Sequence, residues 1–205
     1  MRSNFLDWLV SGTVRRLKEF AGDLETTHAD YAGDDFDSLL YDEVMSRVAE
    51  MTQFAEYLEG LSMSSLSVEK VDEILGKRNE VVRRLESDYS HDNYLFKELT
   101  SVLNDFLTSL KEAALRVPIV LGDIYEAISV AEARSEEYAE DDLEPGLDDT
   151  IFALEGIAQL VEKFENVLDP WHLTEAKELL ENDVNTDLVH HSEFSKIQQF
   201  LESLA

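Results

Sequence analysis

The sequence predicts an all-α protein, a single-domain multi-helix bundle of about eight helices formed by residues 1–205. Three observations lead there. Every regularly patterned segment repeats its apolar residues in steps of three and four, the spacing that lines one face of a helix. No stretch shows the strict apolar/polar alternation of a half-buried strand. Acids and serines stand just ahead of several of these segments, where helix N-caps belong. There is no internal repeat at a solenoid period.

The organising element is expected over 93–116. Leu95, Leu99, Val102, Leu103, Phe106, Leu107, Leu110, Ala113 and Ala114 fall on one side of it. Pro118 is expected to end it, because proline biases the residue before it away from helical geometry. A stripe this wide implies several packing neighbours.

The N-terminal segment carries Phe5, Leu6, Trp8, Leu9 and Val10, then Val14, Leu17, Phe20, Ala21, Leu24 and Tyr31, with Gly12 as a break or bend and Gly22 as a weak point. A loop is read at 32–35. Asp35 or Asp37 caps the next helix, whose core positions are Leu40, Val44, Val48, Met51, Ala55 and Leu58. After a serine-rich connection at 60–67, Ser67 caps a helix through Val71, Ile74, Leu75, Val82 and Leu85. Its Glu73–Lys77 and Glu80–Arg84 spacings suit i,i+4 ion pairs. Residues 87–92 turn the chain into the organising helix.

Beyond Pro118 a further helix places Val120, Leu121, Ile124, Tyr125, Ile128 and Ala131 inward. The run 136–149 holds Glu136, Glu137, Glu140, Asp141, Asp142, Glu144, Asp148 and Asp149 with no base, around Pro145-Gly146. It reads as a turn and as the place of a weak subdivision, with 1–140 as the main bundle and 148–205 as a C-terminal hairpin and terminal helix. Asp148 or Asp149 caps a helix through Ile151, Leu154, Ile157, Ala158, Val161, Phe164 and Leu168. Asp169-Pro170 opens a short one through Trp171, Leu173, Ala176, Leu179 and Leu180. Residues 182–191 are irregular, and Ser192 caps the last helix through Phe194, Ile197, Leu201 and Leu204.

Composition excludes more than it identifies. Hydrophobic residues make up 44% of the chain, enough for one sizeable core or two small ones. No apolar run of about 18 residues suggests a membrane span, and Asp7 interrupts an already short apolar start, so a secretory signal is not expected. With no Cys there is no disulfide framework and no thiolate chemistry, and the cytoplasm is the default compartment. Forty-five acids against 17 bases give a net charge of −28, a field that repels nucleic acid and anionic lipid and attracts basic surfaces.

Few motifs carry chemistry. Glu25/His28, Asp88/His91, Asp169/His172 and Asp187/His190 each place an acid three residues before a histidine. Two Glu-x-x-His pairs and two more glutamates build the di-iron site of ferritin-like bundles. Here only Glu25 and His28 lie well inside an expected helix, so a ferritin-like metal bundle is a distant alternative and no metal or other cofactor is expected. Asp35-Phe36-Asp37 and Asp142-Leu143-Glu144 lack the full ligand set of an EF-hand. Gly76-Lys77-Arg78 lacks the upstream glycine of a phosphate loop and sits within a helix. No nucleophile–His–acid arrangement is visible, and the chain is read as non-enzymatic. Lys77, Arg78, Arg83 and Arg84, like Arg15, Arg16 and Lys18, are read as serving intramolecular pairing. Trp8 and Trp171 are expected in the core.

What remains is binding. The acidic run is the expected contact for a basic, nucleic-acid-binding protein partner, by the logic of a nucleic-acid mimic, inhibitor, immunity protein or adaptor. The stripe Phe194, Ile197 and Leu201 is the candidate apolar contact. The alternative is halophilic adaptation, toward which the small number of lysines leans: eight of the 17 bases.

Overall fold

A computed structural model of the chain describes residues 5–31, 38–62, 66–86, 90–138 and 146–203, with side chains throughout except at 28–31, 38–40, 90–91 and 135–138. Among the described residues there are seven helices and no strand: α1 (Phe5–Tyr31), α2 (Ser38–Glu59), α3 (Val68–Leu85), α4 (Ser90–Tyr138), α5 (Leu147–Asn166), α6 (Pro170–Asn182) and α7 (His191–Glu202). The fold is all-α, with one helix fewer than expected. The loop at 32–35, the caps Asp35 and Asp37, and Asp88 of the turn before α4 lie outside the described residues.

The missing boundary is at Pro118. Instead of ending a helix, it sits inside α4, which runs 49 residues without interruption, roughly 74 Å at 1.5 Å per residue. An internal proline costs about 3 kcal/mol through its lost N–H and its clash with the preceding turn. Burial outweighs that. Val117, Val120 and Ile124 are almost wholly enclosed around it, and each large apolar side chain so buried contributes roughly 1.5–3 kcal/mol. Pro118 itself is exposed, with its ring on the solvent side.

The buried face of α4 is also shifted from the expected one. Asn93, Phe96, Thr100, Leu103, Leu107, Leu110, Ala114, Val117, Leu121, Ile124, Ile128 and Ala131 follow alternating steps of three and four. All are buried except Leu121, which is half-buried. This is a seam of period 3.5, as in coiled-coil packing, widened by the buried Ala113, Val120 and Ala127, and it passes through Pro118 in phase. It explains why Val102 is exposed and Leu95, Leu99 and Phe106 only half-buried, while Phe96 and Thr100 are enclosed. The polar seam residues have partners. Thr100 Oγ1 donates to the Phe96 carbonyl at 2.8 Å and accepts from Arg78 Nε at 2.9 Å. Asn93 Nδ2 donates to the Val82 carbonyl at 3.4 Å.

The chain divides into two compact units, Met1–Met63 with Glu69–Thr108, and Ser64–Val68 with Ser109–Ala205. The division falls inside α4, between Thr108 and Ser109. In unit 1, α1 packs on α2 and runs unbroken through Gly12 and Gly22. Leu6, Leu17, Met51, Leu58, Ile74 and Phe96 are fully buried. Phe54 meets Phe96 edge-on at 5.7 Å. Cross-helix polar contacts tie the bundle: Arg47 to Asp92 at 3.0 Å, Arg84 to Glu50 at 2.8 Å, Lys97 to Glu86 at 2.8 Å and Lys18 to Glu59 at 2.7 Å. The partners expected within α3 do act on one another, Lys77 helping to hold Glu73 low and Glu80 helping to raise Arg84, and they make further contacts. Glu73 accepts from Lys70 and from the Tyr57 hydroxyl, and the Lys77 ammonium lies 4.6 Å from the Tyr57 ring centre. Arg83 Nε donates to the Asn79 carbonyl at 3.4 Å. Lys77, Arg78, Arg83 and Arg84 thus all make contacts within the chain.

In unit 2, α5 packs on α6 and α6 on α7. Ile157, Val161, Phe164, Leu173, Leu180, Ile197, Phe200 and Leu201 form its interior, with Ala131, Leu147 and Leu188 clustered together. The Asp169-Pro170 start of α6 is as expected: Pro170 opens the helix and the Asp169 carboxylate accepts from the Trp171 N–H at 3.1 Å. Two other caps differ. Gly146, at φ 99°, precedes α5 in place of Asp148 or Asp149, and α7 starts one residue before Ser192, after His190. Three aromatics expected inside are out: Trp8 (65% exposed), Trp171 (44%) and Tyr125 (49%).

Candidate partner-binding surface

Charge is unevenly shared. Unit 1 carries 22 acids against 11 bases, and unit 2, of nearly equal size, carries 23 against six. The net charges are −11 and −17, so unit 2 exerts the stronger attraction on a basic partner.

There the chain enters α5 through Gly146, whose left-handed backbone suits glycine because no Cβ meets the following carbonyl. The Gly146 carbonyl accepts from the Thr150 N–H at 2.9 Å and starts the helix. Leu147 and Thr150 turn inward, and Thr150 Oγ1 accepts from the Asn185 N–H at 3.1 Å, which pins the segment after α6 against the first turn of α5. Asp148 and Asp149 face solvent in that first turn, where carboxylates are favoured by the positive end of the helix dipole. One turn further on stands Phe152, 77% exposed, the most exposed large apolar side chain among the described residues.

Phe152 and Asp149 line a groove of about 630 Å³ between α5 and the end of α6, together with Gly146, Gly156, Asp183 and Asn185. The groove continues along the two helices as a second hollow of about 400 Å³, lined by Gln159, Lys163, Glu175 and Glu178. Gly156, Leu179, Asn182 and Asp183 are common to both hollows. The helices come close at this point because Gly156 has no side chain; Leu179 Cδ1 would lie 3.3 Å from a Cβ placed there.

Of the acidic run, Asp149 lines this groove and Asp148 stands exposed beside it in the same helical turn. Glu140, Asp141, Asp142 and Glu144 lie outside the described residues, as do the side chains of Glu136 and Glu137 in the last turn of α4. The apolar stripe of the last helix is placed differently from its expected role. Ile197 and Leu201 are buried in unit 2 and Phe194 is half-buried, so these side chains complete the chain's own core rather than offering a contact. α7 packs on α6 in the same unit. Phe152 is not singled out by its sequence context, although one signal points to it. It lies off the stripe Leu147, Thr150, Leu154, Ile157, Val161 and Phe164 of an otherwise well-patterned helix.

Elsewhere, several polar groups are paired, while His172 Nδ1 is buried without a hydrogen-bond partner among the described residues. Lys196 holds Asp123 at 2.8 Å, which raises its pKa, and the Ser192 hydroxyl donates to Glu193, which lowers that carboxyl's. Tyr125 donates to Glu162 at 3.0 Å, and the carboxylate holds the phenol proton above the ordinary tyrosine range. Arg134 donates to the Asp187 carbonyl, and the Arg116 guanidinium lies 5.6 Å from the Phe200 ring centre. In unit 1, Phe5 and Trp8 are exposed but partly cover each other at 5.8 Å, and Phe5 leans edge-on against Phe106 at 5.2 Å.

Glu25 is exposed on α1, and the side chains of His28 and His91 lie outside the described residues. His172 sits in α6, and His190 and His191 at the start of α7. Among the described residues no three His, Asp or Glu side chains gather as metal ligands. The segments 35–37 and 142–144 lie outside the described residues. No helix among them is long and apolar enough to cross a membrane. No protein-family model, curated protein or solved structure matches this chain.

Proposed function

We propose that this protein acts by protein–protein contact, without catalysis, and that its partner is a basic, nucleic-acid-binding protein which it engages as an inhibitor, immunity protein or adaptor. The observation that carries the reading is the concentration of charge: unit 2 has 23 acids and six bases. Duplex DNA presents about one charge per 1.7 Å of axis, so a protein surface that evolved to bind phosphates responds to a dense carboxylate array in the same way. The acids at the start of α5 stand beside an exposed aromatic ring, and a ring of this kind adds apolar contact area to a charged interface.

The test is capture from a nuclease-treated extract of the native host on immobilised full-length chain at about 0.15 M salt, followed by elution at about 0.5 M. The expected result is a strongly basic protein that is released as salt rises and whose nucleic-acid binding the purified chain blocks. Retention of only neutral or acidic proteins, or retention indifferent to salt, overturns the reading.

A further inference from the structure

We propose that the α5–α6 groove of unit 2 docks a lysine- and arginine-rich segment of a protein partner, with one large apolar side chain of that segment packed on Phe152. The proposal rests on the reading above that the partner is basic, and it specifies where and by what chemistry that partner is held.

The wall of the groove runs along α5 from Asp149 to Lys163, roughly 21 Å at 1.5 Å per residue. That is room for about four turns of a bound helix. Its rim carries the carboxylates of Asp149, Asp183, Glu175 and Glu178 against the single base Lys163. Among the described residues none of these four carboxylates has an ion pair, whereas bases of unit 1 are occupied by Glu50, Glu59, Glu86 and Asp92. α6 ends at the groove with Asn182 and Asp183 and has no base in its last turn, so the negative end of its dipole adds to the field there. A nucleic acid would be repelled, and so would a second copy of the chain, since each unit 2 carries −17. A basic peptide meets complementary charge along the rim and an aromatic face at one end.

The experiment is fluorescence anisotropy on the full chain at about 0.15 M salt. The probe is a labelled Lys/Arg-rich amphipathic peptide of about 14 residues bearing a single Leu, and a second peptide has Ser in its place. Phe152→Ala should weaken the Leu peptide about tenfold or more, and Asp149→Asn with Asp183→Asn several-fold. Glu132→Gln with Glu165→Gln removes the same charge elsewhere in unit 2 and should change affinity less than about twofold. The Ser peptide should bind more weakly and ignore Phe152→Ala. All the replaced side chains are exposed, so the urea midpoint of each variant should stay close to that of the parent, with at most the small loss of a helix-end charge at Asp149, which separates weakened binding from impaired folding. Equal binding of the Leu peptide to every variant sinks the groove and leaves the basic-partner reading standing. Failure of both peptides to bind even at about 0.05 M salt sinks both.

Discussion

Arg47 and Arg84 show how burial decides what an ion pair contributes. Both reach across from one helix of unit 1 to another, to Asp92 at 3.0 Å and to Glu50 at 2.8 Å. The Arg47–Asp92 pair is enclosed, with side chains 14% and 13% exposed, while the Arg84 side chain is mostly in solvent. Removing one member of such a pair leaves the other charge largely shielded from water with its nearest counter-charge gone. Arg47→Met is expected to cost about 2–4 kcal/mol in urea unfolding, with little dependence on salt. Arg84→Met should cost less, and its effect should fade as salt is added. Equal losses from the two would contradict the burial difference.

Tyr125 supplies a pH-dependent counterpart. The Glu162 carboxylate accepts its O–H and raises its pKa above that of the unfolded chain. The stability this brings is fully present below the ordinary tyrosine pKa and is lost as pH rises through the elevated folded value. Glu73 and Glu86, held low by Lys70 and Lys97, act in the opposite sense: their contribution is present above the ordinary carboxylate pKa and lost as pH falls through their lowered values. In an ultraviolet titration of the phenolates, Glu162→Gln should shift one tyrosine back toward the ordinary tyrosine range. An unchanged curve would mean that the hydrogen bond is absent in solution.

At the scale of elements, α4 shows a local preference overruled by packing. Pro118 carries the usual signal for a helix end, yet the heptad seam crosses it in phase from Ala114 through Val117 to Leu121. The proline is therefore a cost that the seam carries, not a boundary. Pro118→Ala restores an N–H for the Ala114 carbonyl and relieves the ring clash, and because the ring faces solvent the core packing stays intact. The substitution should raise the unfolding free energy by about 1–3 kcal/mol. A loss of stability would show that the helix needs a bend there.

For the molecule as a whole, the net charge of −28 has to be tolerated by the fold before it can serve any partner. Self-repulsion destabilises the compact state, and at about 0.15 M salt charges are screened beyond about 8 Å. On the binding reading, the midpoint of thermal unfolding should rise from dilute buffer and level off near physiological salt. A halophilic protein would need molar salt to fold, so a chain still molten at about 0.15 M would favour adaptation to brine over partner binding.

The sequence by itself determined the class of fold and most of what lies inside it. Steps of three and four placed Val44, Val48, Met51, Leu58, Val71, Ile74, Ile157, Val161 and Phe164 in the core, and there they are. Asp169-Pro170 marked a helix start correctly, because both residues act within one turn of the chain. Only tertiary structure decided the rest, and the reason is the same each time: the deciding partner is far away in sequence. Trp8, Tyr125 and Trp171 sit next to apolar stripes, and only the positions of neighbouring helices leave them exposed. The stripe of Ile197 and Leu201 is free for a partner or covered by the chain's own helices according to where its neighbours lie, and it is covered. The candidate groove arises in the same way. Phe152 and Asp149 are separated from Asp183 by a whole helix and its connection, and only the packing of α5 on α6 at Gly156 brings them to one surface.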